Sequence, residues 1–220
     1  ERIVSNIITD IDWDKGNREL WISTDGGISL FNPDQNKFEN FQETPFSESI
    51  KENFVGDILV SERSGNVWFE TKNYSGINCL ERWYNEEFQM YEYQFNYLES
   101  DVMDEYSLAS NDISAFIDDK AGNIWIGTRG GGISLYSSNK SKFTSLSYDS
   151  DNEWGMKNNN IVSISSLCYG SMLWISNDFG LELISSDGLR EYDYSNEVLN
   201  VKKITVLDNI NDDILWVGTD

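Results

Sequence analysis

The sequence carries 38 acidic residues, 16 basic ones and no histidine. The commonest general base, the commonest zinc ligand and the phosphoacceptor of a histidine kinase are therefore missing from these residues. Paired carboxylates are what glycoside cleavage requires, yet no spacing in this chain singles out one pair. Asp10-Ile11-Asp12-Trp13-Asp14-Lys15-Gly16 resembles a calcium loop. Its glycine falls one place late, however, and the closing acid would fall on Trp21. A solvated hairpin loop is the expectation there. The same holds for Asp149-Ser150-Asp151-Asn152-Glu153 and for Asp208 to Asp213. Cys79 and Cys168 each lie in an apolar run and are expected as buried free thiols rather than a disulfide. The chain has no Gly-x-Ser-x-Gly elbow and no phosphate loop. No catalytic residue, metal or cofactor is expected.

Aromatic side chains are the other chemistry on offer, since their faces can pack on sugar rings. Trp21, Trp68, Trp125, Trp174 and Trp216 are 47, 57, 49 and 42 residues apart. Recurrence at one strand position points to a core role for these five. The spacing is that of a propeller blade. In the clearest repeat, Asn111 to Ile117 leads through Asp118-Asp119-Lys120-Ala121-Gly122-Asn123 into Ile124-Trp125-Ile126-Gly127-Thr128. A Gly130-Gly131-Gly132 turn follows, then Ile133-Ser134-Leu135-Tyr136 and finally Lys142 to Leu146. Four short β-rich runs between turn residues predict a four-stranded antiparallel meander.

Gly27, Gly76, Gly132 and Gly180 precede the third run of their repeats. Ser23, Gly127, Ser176 and Gly218 leave room for a neighbouring sheet. The expected fold is all-β, a β-propeller fragment with blades at about 1–41, 54–93, 112–146 and 161–194 and a partial blade at 201–220. About four and a half blades suggest an open arc of a larger propeller. Glu99 to Ser107 is the best candidate for a helical turn. Pro33 and Pro45 fall outside the repeated strands.

A net charge of −22 repels phosphate backbones and anionic lipid, so neither nucleic acid nor a membrane surface is an expected partner. No apolar run reaches the roughly 18 residues of a membrane span. A start at Glu1 and a stop at Asp220 inside a motif lead us to expect a piece of a longer polypeptide.

Residues 119 to 136 resemble the two-component regulator propeller repeat, flanked by Tyr106-Ser107-Leu108-Ala109-Ser110-Asn111 and by Lys142-Phe143. The second and fourth repeats depart from that pattern at Glu70-Thr71 and Ser176-Asn177. The resemblance implies the extracytoplasmic, periplasmic sensor region of a membrane-bound hybrid histidine kinase, homodimeric as a whole, in a family whose members often detect oligosaccharides. On this reading the chain binds a small oligosaccharide and is not itself an enzyme. A carbohydrate-active propeller enzyme stands second, although the Ser-x-Asp-x-Gly-x-Thr-Trp spacing of sialidase-type propellers is missing. A protein-interaction scaffold stands third.

In such a blade the inter-blade connections share one face with the turns between strands two and three. Variable loops on a rigid scaffold usually carry binding. The connections at about 42–53, 94–111 and 147–160 hold Phe46, Tyr97, Tyr106, Tyr148 and Trp154; the adjacent turns add Tyr74, Arg129 and Phe179. The expected ligand-binding residues are Arg129, Trp154, Tyr148, Tyr74, Phe179 and Tyr97, with Trp154 and Arg129 foremost.

Overall fold

Asp119 shows how a hairpin of this repeat is tied together. Its carboxylate accepts from the backbone N–H groups of Ala121 and Asn123, from Asn123 Nδ2 and from Trp125 Nε1, all within 2.8–2.9 Å. The turn and the core tryptophan are thus fixed by one buried acid. In the computed structural model this hairpin joins β9 (Ile113–Asp118) to β10 (Asn123–Thr128), and β11 (Gly132–Ser137) and β12 (Lys142–Leu146) complete an antiparallel sheet in simple order. The structure describes residues 2–45, 49–73, 75–119, 121–137, 142–167, 171–185, 188–211 and 214–220. Phe46, Tyr74 and Cys168 lie outside them.

The same meander occurs three more times. Sheet one holds β1 (Ile8–Asp14), β2 (Glu19–Thr24), β3 (Gly27–Asn32) and β4 (Lys37–Phe41). Sheet two holds β5 (Val55–Val60), β6 (Val67–Thr71), β7 (Ile77–Asn85) and β8 (Met90–Leu98). After β9–β12 comes sheet four, with β13 (Ile161–Leu167), β14 (Met172–Asn177), β15 (Gly180–Ser185) and β16 (Arg190–Ser195). A four-residue helix, α1 (Asn196–Leu199), leads to a two-stranded sheet of β17 (Ile204–Asn211) and β18 (Ile214–Thr219). The all-β propeller-blade expectation holds. Four four-stranded sheets and one two-stranded sheet, each made of consecutive strands, match the expected four whole blades and a partial one. The 99–107 segment forms turns rather than a helix. The helix instead lies at α1, where Ser195 caps the N-terminus and Asn200 takes the left-handed C-cap.

Third-strand entry explains one glycine class. Gly132 has φ 82° and an added Cβ would lie 2.2 Å from the Leu146 carbonyl oxygen at the end of β12. Only glycine lets the end of the fourth strand approach this closely. Gly76 repeats the arrangement against Leu98 O. A second recurrent device pins the entering chain. Ser29 Oγ accepts from Val4 N, Ser134 Oγ from Ala109 N, and the Glu182 carboxylate from Lys157 N, each across 25 residues.

The chain divides into two units, Glu1–Glu99 and Ser100–Asp220. In the first, β1 packs on β5. Asp10 Oδ2 accepts from Ile58 N at 3.0 Å and Asp12 Oδ2 from Val60 N at 2.7 Å, while Ser23 Oγ donates to Gly56 O at 2.6 Å. Asp10, Asp12 and Asp14 therefore belong to a strand, not to a solvated loop as the sequence suggested. Their carboxylates serve as acceptors for a neighbouring edge and, in Asp14, for the turn residue Asn17. The core of this unit gathers Trp21, Ile28, Phe41, Val55, Phe69 and Leu80. Two of the four aromatics at period two on β8 pack against it. Tyr93 and Phe95 pack on Phe41, with centroids 4.9 and 6.1 Å away, and Tyr91 and Tyr97 flank them.

In the second unit, β13 packs on β9 and β17 packs on β13. Gly127 serves this approach, because a Cβ there would lie 2.6 Å from Ile161 Cγ2. Trp125, Ile133, Met156, Ile161, Leu173 and Ile184 form the main core. Among the repeated tryptophans, Trp21, Trp68 and Trp125 are buried. Trp216 is not: it is 61% exposed, together with Ile214 and Val206. Within this unit the β17–β18 pair packs against sheet four through β17, which leaves these residues of the pair open. Cys79 is a buried free thiol, pushed up to about 12 mainly by burial.

Candidate functional site

The connection from β12 to β13 ends in Lys157-Asn158-Asn159-Asn160, and this short segment organises the polar end of the second unit. Its first residue is held by the buried Glu182, whose carboxylate accepts from Lys157 N at 3.0 Å. Asn177 Nδ2 bonds both Glu182 and the Asn158 carbonyl. Burial raises the Glu182 pKa above the ordinary carboxylate range, and the hydrogen bonds from Asn177 and Lys157 N pull it partly back. The side chain is a fixed acceptor inside the sheet.

Three of the expected ligand residues meet this segment. Arg129, just past β10, forms a bridge pair with Asn160, and the following turn donates Gly130 N and Gly132 N to Asn159 O. Its guanidinium pairs with Asp112 Oδ1 at 2.9 Å and remains largely exposed. Tyr148 N donates to Asn159 Oδ1, and its ring is 48% exposed. Phe179 sits in the turn between β14 and β15, its N–H donating to Asn177 Oδ1 at 3.0 Å. Lys157 Nζ lies 5.9 Å from the Phe179 ring centroid. Asn160 Nδ2 donates to Asp178 Oδ2 at 2.7 Å, joining the segment to that same turn.

Trp154 does not join them. Its carbonyl accepts from Arg190 N at 2.6 Å, and the Arg190 guanidinium donates to Gly155 O and Glu153 O. Arg190 opens β16 opposite Ile184, whereas Phe179 precedes Gly180 at the other end of β15. Four strand residues, about 13 Å, separate the two ends. Trp154 and Arg129, the two residues put foremost from the sequence, therefore stand at different places: Trp154 lies beside the start of β16 and Arg129 beside Asn160. Tyr97 is also displaced. It is not in a connection but on β8, paired with Asn78, because β8 runs to Leu98. Its hydroxyl donates to Ser49 O and Lys51 Nζ lies 4.5 Å from its ring centroid. Tyr74 lies outside the described residues.

Sequence reasoning passed over Asp112, Asn158, Asn159, Asn160 and Asp178. Three consecutive amide residues in an inter-blade connection were the available signal, since asparagine side chains fix turns by bonding nearby backbone. Among the described residues no group of three or more Cys, Asp or Glu could hold a metal ion. What the cluster offers is two partly open aromatic rings, one exposed guanidinium and several amide groups on a rigid frame.

Comparison with known proteins agrees with the blade architecture. The family model for the two component regulator propeller matches residues 107–130. The extracellular domain of a hybrid two component system from B. thetaiotaomicron is similar over the whole chain, with a TM-score of 0.73 and 20% identity, across 29% of that chain. PorZ, a surface component of the type-IX secretion system of Porphyromonas gingivalis, has a TM-score of 0.71 and 14% identity over 96% of this chain and 31% of its own. The chain thus spans less than a third of either relative. A chain of the nidogen/laminin complex is similar at TM-score 0.59 and 7% identity, over 96% of this chain and 72% of that one. No curated protein matches the sequence. At these identities the structural likeness is one of fold, while the matched segment is the repeat built around Asp119 and Trp125. The third repeat, at residues 107–130, thus matches the two component regulator propeller model, in a chain whose fold is that of propeller-type domains.

Proposed function

We propose that this chain is part of the extracytoplasmic sensor region of a membrane-bound two-component signalling protein, and that it binds a small oligosaccharide without cleaving it. The observation that carries the reading is the convergence of Arg129, Tyr148 and Phe179 on the 157–160 segment. Aromatic faces beside a few fixed polar donors are what a sugar ring needs for stacking and orientation. The strongly acidic chain favours neutral or cationic sugars over sulfated or carboxylated ones. The frame is rigid, because Glu182 and Asn177 hold the segment from inside the sheet.

Calorimetric titration with neutral oligosaccharides tests this. Arg129→Ala and Phe179→Ala should each weaken binding on the order of tenfold, about 1.4 kcal/mol, whereas Trp154→Ala should leave affinity unchanged. Wild-type affinity in both Arg129→Ala and Phe179→Ala, with the fold intact, would place the site elsewhere.

A further inference from the structure

The outer strands of the four sheets differ in a way that bears on association. β4, β12 and β16 are five, five and six residues long, and each opens with Lys37, Lys142 or Arg190. A basic residue on a short edge strand discourages pairing with another chain. The β16 edge also carries a register irregularity. β8 has none of these features. It is nine residues long, holds no lysine, arginine or proline, and pairs with β7 in unbroken register from Leu98 to Met90. Among the described residues it is the edge strand of its sheet.

The sequence of β8, Met-Tyr-Glu-Tyr-Gln-Phe-Asn-Tyr-Leu, is symmetric in residue type about Gln94. Laid antiparallel on a second copy with Gln94 on the two-fold axis, Tyr93 faces Phe95, Tyr91 faces Tyr97 and Met90 faces Leu98. Glu92, the one acid in the strand, faces Asn96, so no like charges oppose each other. Trp83 Nε1 and Asn85 Nδ2 already donate to the Glu92 carboxylate. Aromatic cross-strand pairs stabilise an antiparallel ladder, and opposed like charges would not. Beside the edge, the projecting hairpin exposes Trp83, Tyr84, Phe88 and Met90 at 44–63%. That apolar surface needs a cover once the edge is paired.

We infer that β8 is a self-association edge, pairing antiparallel with β8 of a second copy of this chain to make one continuous eight-stranded sheet. A closed two-fold contact uses the same patch on both subunits, and the palindromic pattern of β8 supplies such a patch. The net charge of −22 opposes association at low salt, so the dimer should tighten as ionic strength rises. This inference is independent of the ligand site in the second unit.

Sedimentation equilibrium of the whole chain should give twice the monomer mass at high protein concentration. Gln94→Lys sets two lysines face to face on the axis and should weaken the dimer roughly fivefold or more. Gln94→Cys should form an interchain disulfide under mild oxidation, because residues facing each other across an antiparallel pair have Cβ atoms about 4.5–5.5 Å apart. Glu92→Cys should not, since its copies lie about 13 Å apart. The untouched protein provides the background from its own thiols, of which Cys79 is buried. A monomer at all concentrations and salt levels overturns the inference. So does a dimer unaffected by Gln94→Lys, or crosslinking that is as efficient through Glu92→Cys as through Gln94→Cys.

Discussion

Trp125→Ala should lower the unfolding free energy by about 3–5 kcal/mol, the usual cost of truncating a large buried aromatic. The ring is 1% exposed and packs among Ile133, Met156, Ile161 and Ile184, so its removal leaves a cavity that strands on two sheets must close. It also takes one of four donors from the buried Asp119. Trp125→Phe separates the two effects, since it keeps most of the packing and loses the bond. Trp21 gives the control: its Nε1 has no hydrogen-bond partner, because the first hairpin is one residue longer between Asp14 and the tryptophan. Trp21→Phe should therefore cost less than Trp125→Phe. Trp154, 66% exposed, should cost less than about 1 kcal/mol as alanine. Urea titrations of the four variants decide this, and equal losses at Trp125→Ala and Trp154→Ala would contradict the packing described.

The second large effect belongs to the first unit. Arg82 and Glu19 form an ion pair at 2.6 Å with side chains only 5% and 8% exposed. The guanidinium carbon lies 3.7 Å from the Tyr91 ring centroid, and Asn32 Nδ2 donates to the other Glu19 oxygen at 2.9 Å. The pair lies along a cavity of about 360 Å³ shared by the β3–β4 and β7–β8 hairpins. Removing one partner strands a buried charge, so Arg82→Met should cost about 3–5 kcal/mol. The double change Arg82→Met with Glu19→Leu should cost much less than the sum of the two single changes, because no charge is then left behind. Denaturant titration of the cycle reads this directly. Additive losses would show that the two charges are solvated rather than coupled.

The blades were legible in the sequence because every part of the repeat has a local cause. Asp119, Gly122, Asn123 and Gly132 encode turns at fixed offsets, and Trp125 marks the second strand. What was not legible depends on contacts between sheets. Asp10 and Asp12 looked like loop acids until β5 supplied their donors. Trp216 matched its repeat partners in sequence but lies 61% exposed on the two-stranded β17–β18 sheet. The candidate site was half legible. Arg129, Tyr148 and Phe179 could be placed from chain order. The path of Trp154 along β16 depends on Arg190, 36 residues further on. Tyr97 was assigned to a connection because the length of β8, which runs to Leu98, was underestimated.

The central claim, that the polar end of the second unit is a sugar-binding surface, is tested most directly by hydrogen–deuterium exchange of the chain with and without neutral oligosaccharides. Sugar binding there should add protection at residues 129–132, 157–160 and 177–180 and none at Trp154, with the sugars recovered intact. Protection confined to other segments, or cleavage of the sugars by the purified chain, would contradict it.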